Sequence, residues 1–243
     1  MILSYGNLEE IAVAVMKDFN RVFDYKPGKG VRLPWCTPIE KFATDYLGLD
    51  VSFAKLSPDG SICGLTAYVN TWYEIDTKEG KWSIPLKQNQ VLLDESFMRP
   101  GQVEKLCGKR RFTLAHECAH QILYQLESEE NKVACRKQYA ARKSYSPRDL
   151  KTREDWNEWQ ANVLGAAILM PQREIELAML FYSNGKNLTS FEEKFCCRDQ
   201  ITLDQLCDTF GVSRTAVIIR LRHLGYLDDR PRSEFYDPIE AIA

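Results

Sequence analysis

The chain has 243 residues, of which 44% are hydrophobic and 27% charged, as in ordinary globular proteins. Its formal net charge of −2 argues against a protein that coats nucleic acid or binds membranes through a polybasic surface. The longest apolar run, residues 163–170, is much shorter than the roughly 20 residues that cross a bilayer. Residues 1–7 lack the features of a signal peptide. The sequence therefore predicts a cytoplasmic protein of one large domain or two small ones.

The first half of the sequence predicts two helices followed by a strand-rich region. Apolar residues at helical spacing predict a helix over residues 7–23, whose start Asn7 can cap together with Glu10. A second helix is expected to open at Thr37, where Glu40 would complete a capping box. Short runs with strand character, separated by turns, then predict a small and mostly antiparallel sheet. These runs are residues 51–56, 61–68, 72–76, 82–86 and 90–97.

The second half of the sequence is predicted to be helical, with one charged interruption. A helix is expected at about 109–125. Residues 127–153 follow as a basic insert, read as a solvated and partly helical segment with a docking surface for acidic partners as the alternative. Further helices are expected at about 155–169, 172–182, 202–210 and 214–224.

The most informative motif is HExxH, formed by His116, Glu117 and His120. Residues four apart on a helix project from one face, so the two imidazoles can hold one metal ion, and zinc suits them. Glu117 lies beside this face, where its carboxylate can take a proton from a water molecule. Two of the three histidines in the chain belong to the motif. This makes a metal site more plausible than the alternative, a pair of buried structural histidines.

A catalytic zinc site needs a third protein ligand and one open position. No third histidine follows at metzincin spacing, and His223 lies far downstream. We predict that Glu158 is the third ligand, with Glu154 as the rival candidate. Asn162 lies one helical turn after Glu158, where its side chain can accept a hydrogen bond from a ligand histidine.

These residues resemble the ImmA/IrrE family of zinc metallopeptidases. The resemblance covers roughly residues 90–228 and rests on three motifs: residues 112–120 with HExxH, Glu158-x-x-Ala161-Asn162 running into Leu169-Met170-Pro171, and Phe210-Gly211-Val212-Ser213-Arg214-Thr215-Ala216 with Arg220-Leu221 and Leu224-Gly225. It implies an α+β zincin-like core. It also implies His116, His120 and Glu158 as zinc ligands and Glu117 as catalytic base. Members cleave, or are inferred to cleave, helix-turn-helix repressors and so derepress mobile-element or stress genes.

The resemblance also suggests a division of the chain. Residues 1–185 would form the metallopeptidase domain, 186–228 a helix-turn-helix-like helical subdomain, and 229–243 a loosely held tail. The second helix of the pair carries Arg214, Arg220 and Arg222, which could face DNA. Its apolar middle favours a structural or substrate-docking role, so DNA binding is not expected.

Two other functions stay open at this point. One is a DNA- or repressor-binding regulator whose zinc site is not catalytic. The other is a zinc hydrolase that acts on a substrate other than a peptide, and iron or manganese in place of zinc stays open too. The residue that would stabilise the oxyanion is not identified by the sequence, and Tyr124, Tyr139 and Tyr145 are candidates.

Overall fold

The structure is a computed structural model and describes residues 2–23, 36–77, 80–127, 132, 136–140 and 152–236. The chain divides into two compact units. The first comprises Met1–Tyr25 and Thr37–Leu169, and the second Lys26–Cys36 and Met170–Ala243. The division at residue 185 that the sequence suggests stays a prediction. In the described ranges, no helix is both long enough and apolar enough to cross a membrane.

Helix α1 (Tyr5–Val22) opens the first unit and buries its apolar stripe. It begins after Ser4, whose hydroxyl accepts a hydrogen bond from the Asn7 N–H while the Asn7 side chain reaches back to the Ser4 backbone. The prediction that Asn7 is the cap is therefore wrong, because Ser4 takes that role three residues earlier and Asn7 completes its capping box.

The next helical segment departs from its predicted start. It comprises α2 (Ile39–Lys41) and a π-helical turn over Phe42–Tyr46. The Thr37 hydroxyl donates to the Ile168 carbonyl at 2.9 Å, and no side chain caps the helix at Pro38. The predicted capping box is wrong because the only oxygen that Thr37 could use for the cap is turned towards the main chain of another helix.

Eight strands form three sheets among the described residues. The largest sheet has the order β1-β5-β2-β6, in which β1 and β5 are parallel and β2 is antiparallel to both of its neighbours. Strands β3 and β4 form a separate antiparallel hairpin. The strands are β1 (Asp50–Ala54), β2 (Ile62–Ala67), β3 (Thr71–Thr77), β4 (Gly80–Leu86), β5 (Gln90–Asp94), β6 (Arg136–Ala140), β7 (Leu188–Phe191) and β8 (Leu227–Arg230). The result is the expected mixture of helices and small sheets, an α+β fold.

The two faces of β2 bury different partners because successive side chains alternate across a strand. Leu65 and Ala67 belong to an apolar core with residues of the β3–β4 hairpin and β5. On the other face, Thr66 accepts a hydrogen bond from the side-chain amide of Gln121, which belongs to helix α3 (Cys107–Leu126). The same amide donates to the Ala67 carbonyl at 3.2 Å. The sheet therefore carries α3 on the face opposite to this apolar core.

The described residues of the basic insert include a strand. Residues 136–140 form β6, which pairs with β2, whereas the sequence predicted a solvated and partly helical insert without a strand. Most of the insert lies outside the described residues. Helix α4 (Arg153–Leu169) follows, and the hydroxyl of Thr152 accepts a hydrogen bond from the Asp155 N–H at its start.

In its described residues the second unit has three α-helices, a short 3-10 helix (Arg232–Glu234) and the short parallel pair β7–β8, which the sequence did not predict. The α-helices are α5 (Gln172–Ser183), α6 (Cys197–Phe210) and α7 (Arg214–Leu224). Gly211 ends α6 with a φ of 61°, and the Ser213 hydroxyl caps α7. Whether α6 and α7 form a helix-turn-helix subdomain stays a prediction. The first two residues of the expected tail, 229 and 230, belong to β8, and residues 237–243 lie outside the described part.

Candidate metal centre

Three side chains from α3 and α4 converge on one point. His116 Nε2 lies 3.0 Å from His120 Nε2 and 3.2 Å from Glu158 Oε2, and His120 Nε2 lies 3.3 Å from Glu158 Oε1. All of these ligand atoms fall within 4.8 Å of one another. The exposed fractions are 0% for His116, 3% for His120 and 17% for the Glu158 side chain, so the cluster is almost fully removed from water.

The hydrogen bond between His116 and Asn162 determines which imidazole nitrogen faces the cluster. His116 Nδ1 lies 3.1 Å from the Asn162 side-chain oxygen, which can only accept, so Nδ1 carries the hydrogen. Nε2 of a neutral His116 therefore presents a lone pair to His120 and Glu158. Burial, together with the neighbouring His120, lowers the pKa of His116 to about 4, which keeps the ring neutral at physiological pH.

The donor set fits a divalent metal ion. Burial alone would raise the pKa of Glu158, but the two neighbouring imidazoles lower it below its usual range, so the carboxylate is ionised. A carboxylate and a neutral imidazole that both point acceptor atoms at one buried place repel each other unless a cation lies between them. Two imidazoles and one carboxylate are the ligands of many catalytic zinc sites.

Glu117 lies next to this cluster on α3 but makes different contacts. Its side chain has no exposed surface, and neither carboxylate oxygen has a hydrogen-bond partner among the described residues. Burial, with the nearby charge of Glu158, raises the pKa of the carboxyl well above its ordinary value. A buried carboxyl group without a partner costs stability, and this combination is typical of a functional group.

Close packing of α3 against α4 brings the two helices into reach of each other. Ala115, Ala119 and Ala161 are fully buried. A methyl group on Gly165 would lie 3.1 Å from the main-chain carbon of Ala115 and 3.1 Å from the nitrogen of His116. Because small residues let helix axes approach, the carboxylate and amide of α4 can reach the imidazoles of α3.

A comparison with models of protein families shows which family has a domain similar to this part of the chain. The model of the Peptidase_M78 family, described as an IrrE N-terminal-like domain, matches residues 107–222. Residues 107–222 of the chain belong to the M78 peptidase family. This confirms the resemblance to ImmA/IrrE peptidases that the motifs indicated. No curated protein matches the chain.

The M78 domain begins with α3, so both halves of the candidate site lie inside it. The family supports a metallopeptidase, and the structure brings His116, His120 and Glu158 together as a group that can hold a metal ion. Asn162 contacts His116. Glu154, the rival ligand, is exposed one turn earlier on α4 and is not part of the group. The individual roles of these residues stay predictions.

Sequence reasoning missed two residues that shape the site. Gly165 could have been noticed as a glycine inside a helix, which usually has a packing reason. Gly64 of β2, which lies against Glu117, carries no local signal, because only the fold brings β2 to α3. Of the three candidate oxyanion donors, Tyr124 stacks on Tyr68 with ring centroids 4.1 Å apart. The side chains of Tyr139 and Tyr145 lie outside the described part of the structure.

Proposed function

We propose that the chain is a zinc-dependent endopeptidase in which His116, His120 and Glu158 hold the ion and Glu117 is the general base. The observation that carries this proposal is the convergence of two buried imidazoles and one carboxylate on a single place. Beside them lies Glu117, a second carboxyl group, whose oxygens have no hydrogen-bond partner among the described residues.

The zinc ion would supply a Lewis acid that polarises the peptide carbonyl and makes water more acidic. Glu117 would accept a proton from the attacking water and carry it to the nitrogen of the leaving amine. A carboxylate beside the ligands suits this task, because it can accept the proton in one step and release it in the next. Asn162 would orient His116 by accepting the Nδ1 hydrogen.

We further propose that the substrate is a helix-turn-helix repressor in the cytoplasm, cut at an exposed or locally unfolded segment to derepress mobile-element or stress genes. The membership in the M78 family supports a protein substrate, and the resemblance to ImmA/IrrE peptidases supports this class of repressor. A buried site favours a flexible segment, because a compact domain cannot bring its main chain to an ion surrounded by side chains.

Contacts of α7 speak against the alternative of a DNA-binding regulator. Arg222 makes a bidentate pair with Asp229 at 2.8 and 2.9 Å, and Arg214 Nη1 lies 2.9 Å from Asp204 Oδ1. Arg220 is 1% exposed and donates to the Met170 carbonyl. These three arginines would have to break intramolecular contacts before they could reach phosphates.

The test is to purify the protein without added metal, measure its metal content by elemental analysis, and incubate it with repressors encoded near its gene. We expect one zinc per chain and discrete repressor fragments in mass spectra, with Glu117→Gln giving none. If the repressor stays intact and the protein binds operator DNA with sub-micromolar affinity, the peptidase proposal is wrong and the DNA-binding alternative is favoured.

A further inference from the structure

One face of α3 packs on strand β2, and its side chains contact the strand directly. Thr113, Glu117 and Gln121 are spaced four apart and form a single row on this face. Gln121 bonds to Thr66 and Ala67 of β2. Thr113 and Glu117 lie against Gly64, two residues before Thr66 and on the same face of the strand.

The space at Gly64 is already filled by the two helix residues. A methyl group built on Gly64 would lie 2.6 Å from Thr113 Cγ2 and 2.9 Å from Glu117 Oε1. A methyl carbon at these distances overlaps with both the carbon and the oxygen, so an alanine at position 64 would force Thr113 and Glu117 to move. Gly64 is not required for the backbone conformation, since it is absent from the glycines with positive φ. Its role is to leave room.

Strand β2 is also irregular at this place. Its pairing with β6 shifts register between Ile62 and Gly64, so Cys63 is an extra residue in the ladder. Such bulges bend a strand and change the direction of neighbouring residues, and they are frequent beside active sites. The bulge immediately precedes the residue that lies against the Glu117 carboxylate.

Nothing in the described part of the protein holds the Glu117 carboxylate by a hydrogen bond. Its position is therefore determined by the surfaces around it, and Gly64 forms one of them. Thr113 differs in this respect, because its hydroxyl donates to the Lys109 carbonyl at 3.0 Å, which fixes the direction of its methyl group. A methyl on Gly64 would thus displace the carboxylate and strain the threonine.

We propose that Gly64 is a positioning residue for Glu117. Because Gly64 has no side chain, the Glu117 carboxylate can occupy the space beside it, and from there it reaches the attacking water. This inference rests on the proposed peptidase function. It explains why a fully buried strand position that needs no special φ is occupied by glycine.

Four proteins test the proposal: the wild type, Gly64→Ala, Thr113→Ser and the double variant G64A/T113S. The serine removes Cγ2, the nearer obstacle, and keeps the hydroxyl that bonds to Lys109. We expect G64A to lower both the melting temperature and kcat. In the double variant we expect the melting temperature to recover while kcat stays about 100-fold low, as for a reacting group misplaced by about 1 Å. KM and zinc content should stay unchanged.

Gly6→Ala is the matched control, since a methyl there meets only the Ser4 hydroxyl at 3.9 Å. It should leave kcat unchanged. If G64A/T113S regains wild-type kcat, Gly64 serves only the packing of Thr113 and the proposal is overturned.

Crystal structures of the wild type and the double variant give a readout that does not depend on turnover. We expect the Glu117 carboxylate to be displaced by about 1 Å in the double variant. If the zinc-loaded wild type cleaves no peptide but the carboxylate is displaced, the peptidase function fails and the positional inference stands. If the wild type is active and the carboxylate does not move, the inference fails alone.

Discussion

The α3–α4 pair and the α6–α7 pair both carry ionisable side chains at helical spacing. The two pairs differ in the burial of these side chains and in the partners that the chain provides for them. In α3–α4, His116, His120 and Glu117 are buried. The two histidines face each other, and the Glu117 oxygens have no hydrogen-bond partner in the described part of the chain. On α7, Arg214 and Arg222 are partly exposed, and each is neutralised by an aspartate. The first arrangement needs something from outside the chain, whereas the second is already complete.

This difference separates a candidate site from a charged surface more reliably than residue type does. Exposed ion pairs contribute little and can be lost without consequence. Buried groups without partners lower stability, so a fold that keeps them is expected to use them. The following substitutions test whether the two helix pairs differ in this way.

The largest effect is expected from Glu117→Gln. Hydrolysis should fall by several orders of magnitude, because the amide cannot accept the proton of the attacking water. The fold and the metal content should stay, and thermal stability should rise slightly or stay the same, because an acid buried without a partner is replaced by a neutral group. Retained turnover with metal bound would disprove the role of Glu117.

The second effect concerns the metal. Glu158→Ala should remove most of the zinc measured by elemental analysis, because it deletes the charged member of the donor set. Glu154→Ala is the matched control, since Glu154 is exposed on the same helix one turn earlier, and zinc should stay bound. The reverse pattern would show that the third ligand is wrongly assigned.

A smaller effect is expected at Asn162. Asn162→Ala should lower metal affinity or activity about 10–100-fold, because His116 loses the acceptor that fixes its ring. Asn162→Asp retains an acceptor oxygen and should keep more of the affinity than alanine does. Zinc affinity measured by competition with a chelator distinguishes the two variants. Equal affinity in all three proteins would mean that the contact does not orient the ring.

The smallest effect is expected on α7. Arg222→Ala should change the free energy of unfolding by about 0.5 kcal/mol and leave peptide hydrolysis unchanged, because the pair with Asp229 is exposed. Denaturant unfolding and a cleavage assay measure the two quantities. A large loss of cleavage with normal stability would instead make α7 a docking surface for the substrate.

Much of the fold follows from local patterns in the sequence. Helices α1, α3 and α7 and the five strands of the middle region were predicted close to their observed ends. The errors arise where a distant partner decides the structure. Residues 136–140 belong to a charged segment in which no strand was predicted, yet they pair with β2. The four-residue strands β7 and β8 were not predicted either, and they pair with each other.

The candidate site divides along the same line. His116, Glu117 and His120 are visible from spacing alone, because one helix holds all three. Glu158 and Asn162 required two further arguments, that a catalytic zinc site needs a third ligand and that a second helix supplies it. Gly64 and the bulge before it could not be found, since no local pattern says that β2 lies against Glu117.

Helix α4 also determines when the first unit can fold. The contact between His116 and Glu158 spans 42 positions, and the Leu3 N–H donates to the Gln160 side chain at 2.7 Å across 157 positions. Helix α4 is synthesised after the other described elements of this unit. Leu3 and helix α3 therefore both pack against a helix that emerges from the ribosome after them. Chains truncated before Arg153 should expose the buried faces of α1 and α3 and aggregate, and cotranslational folding should be completed only after α4 emerges.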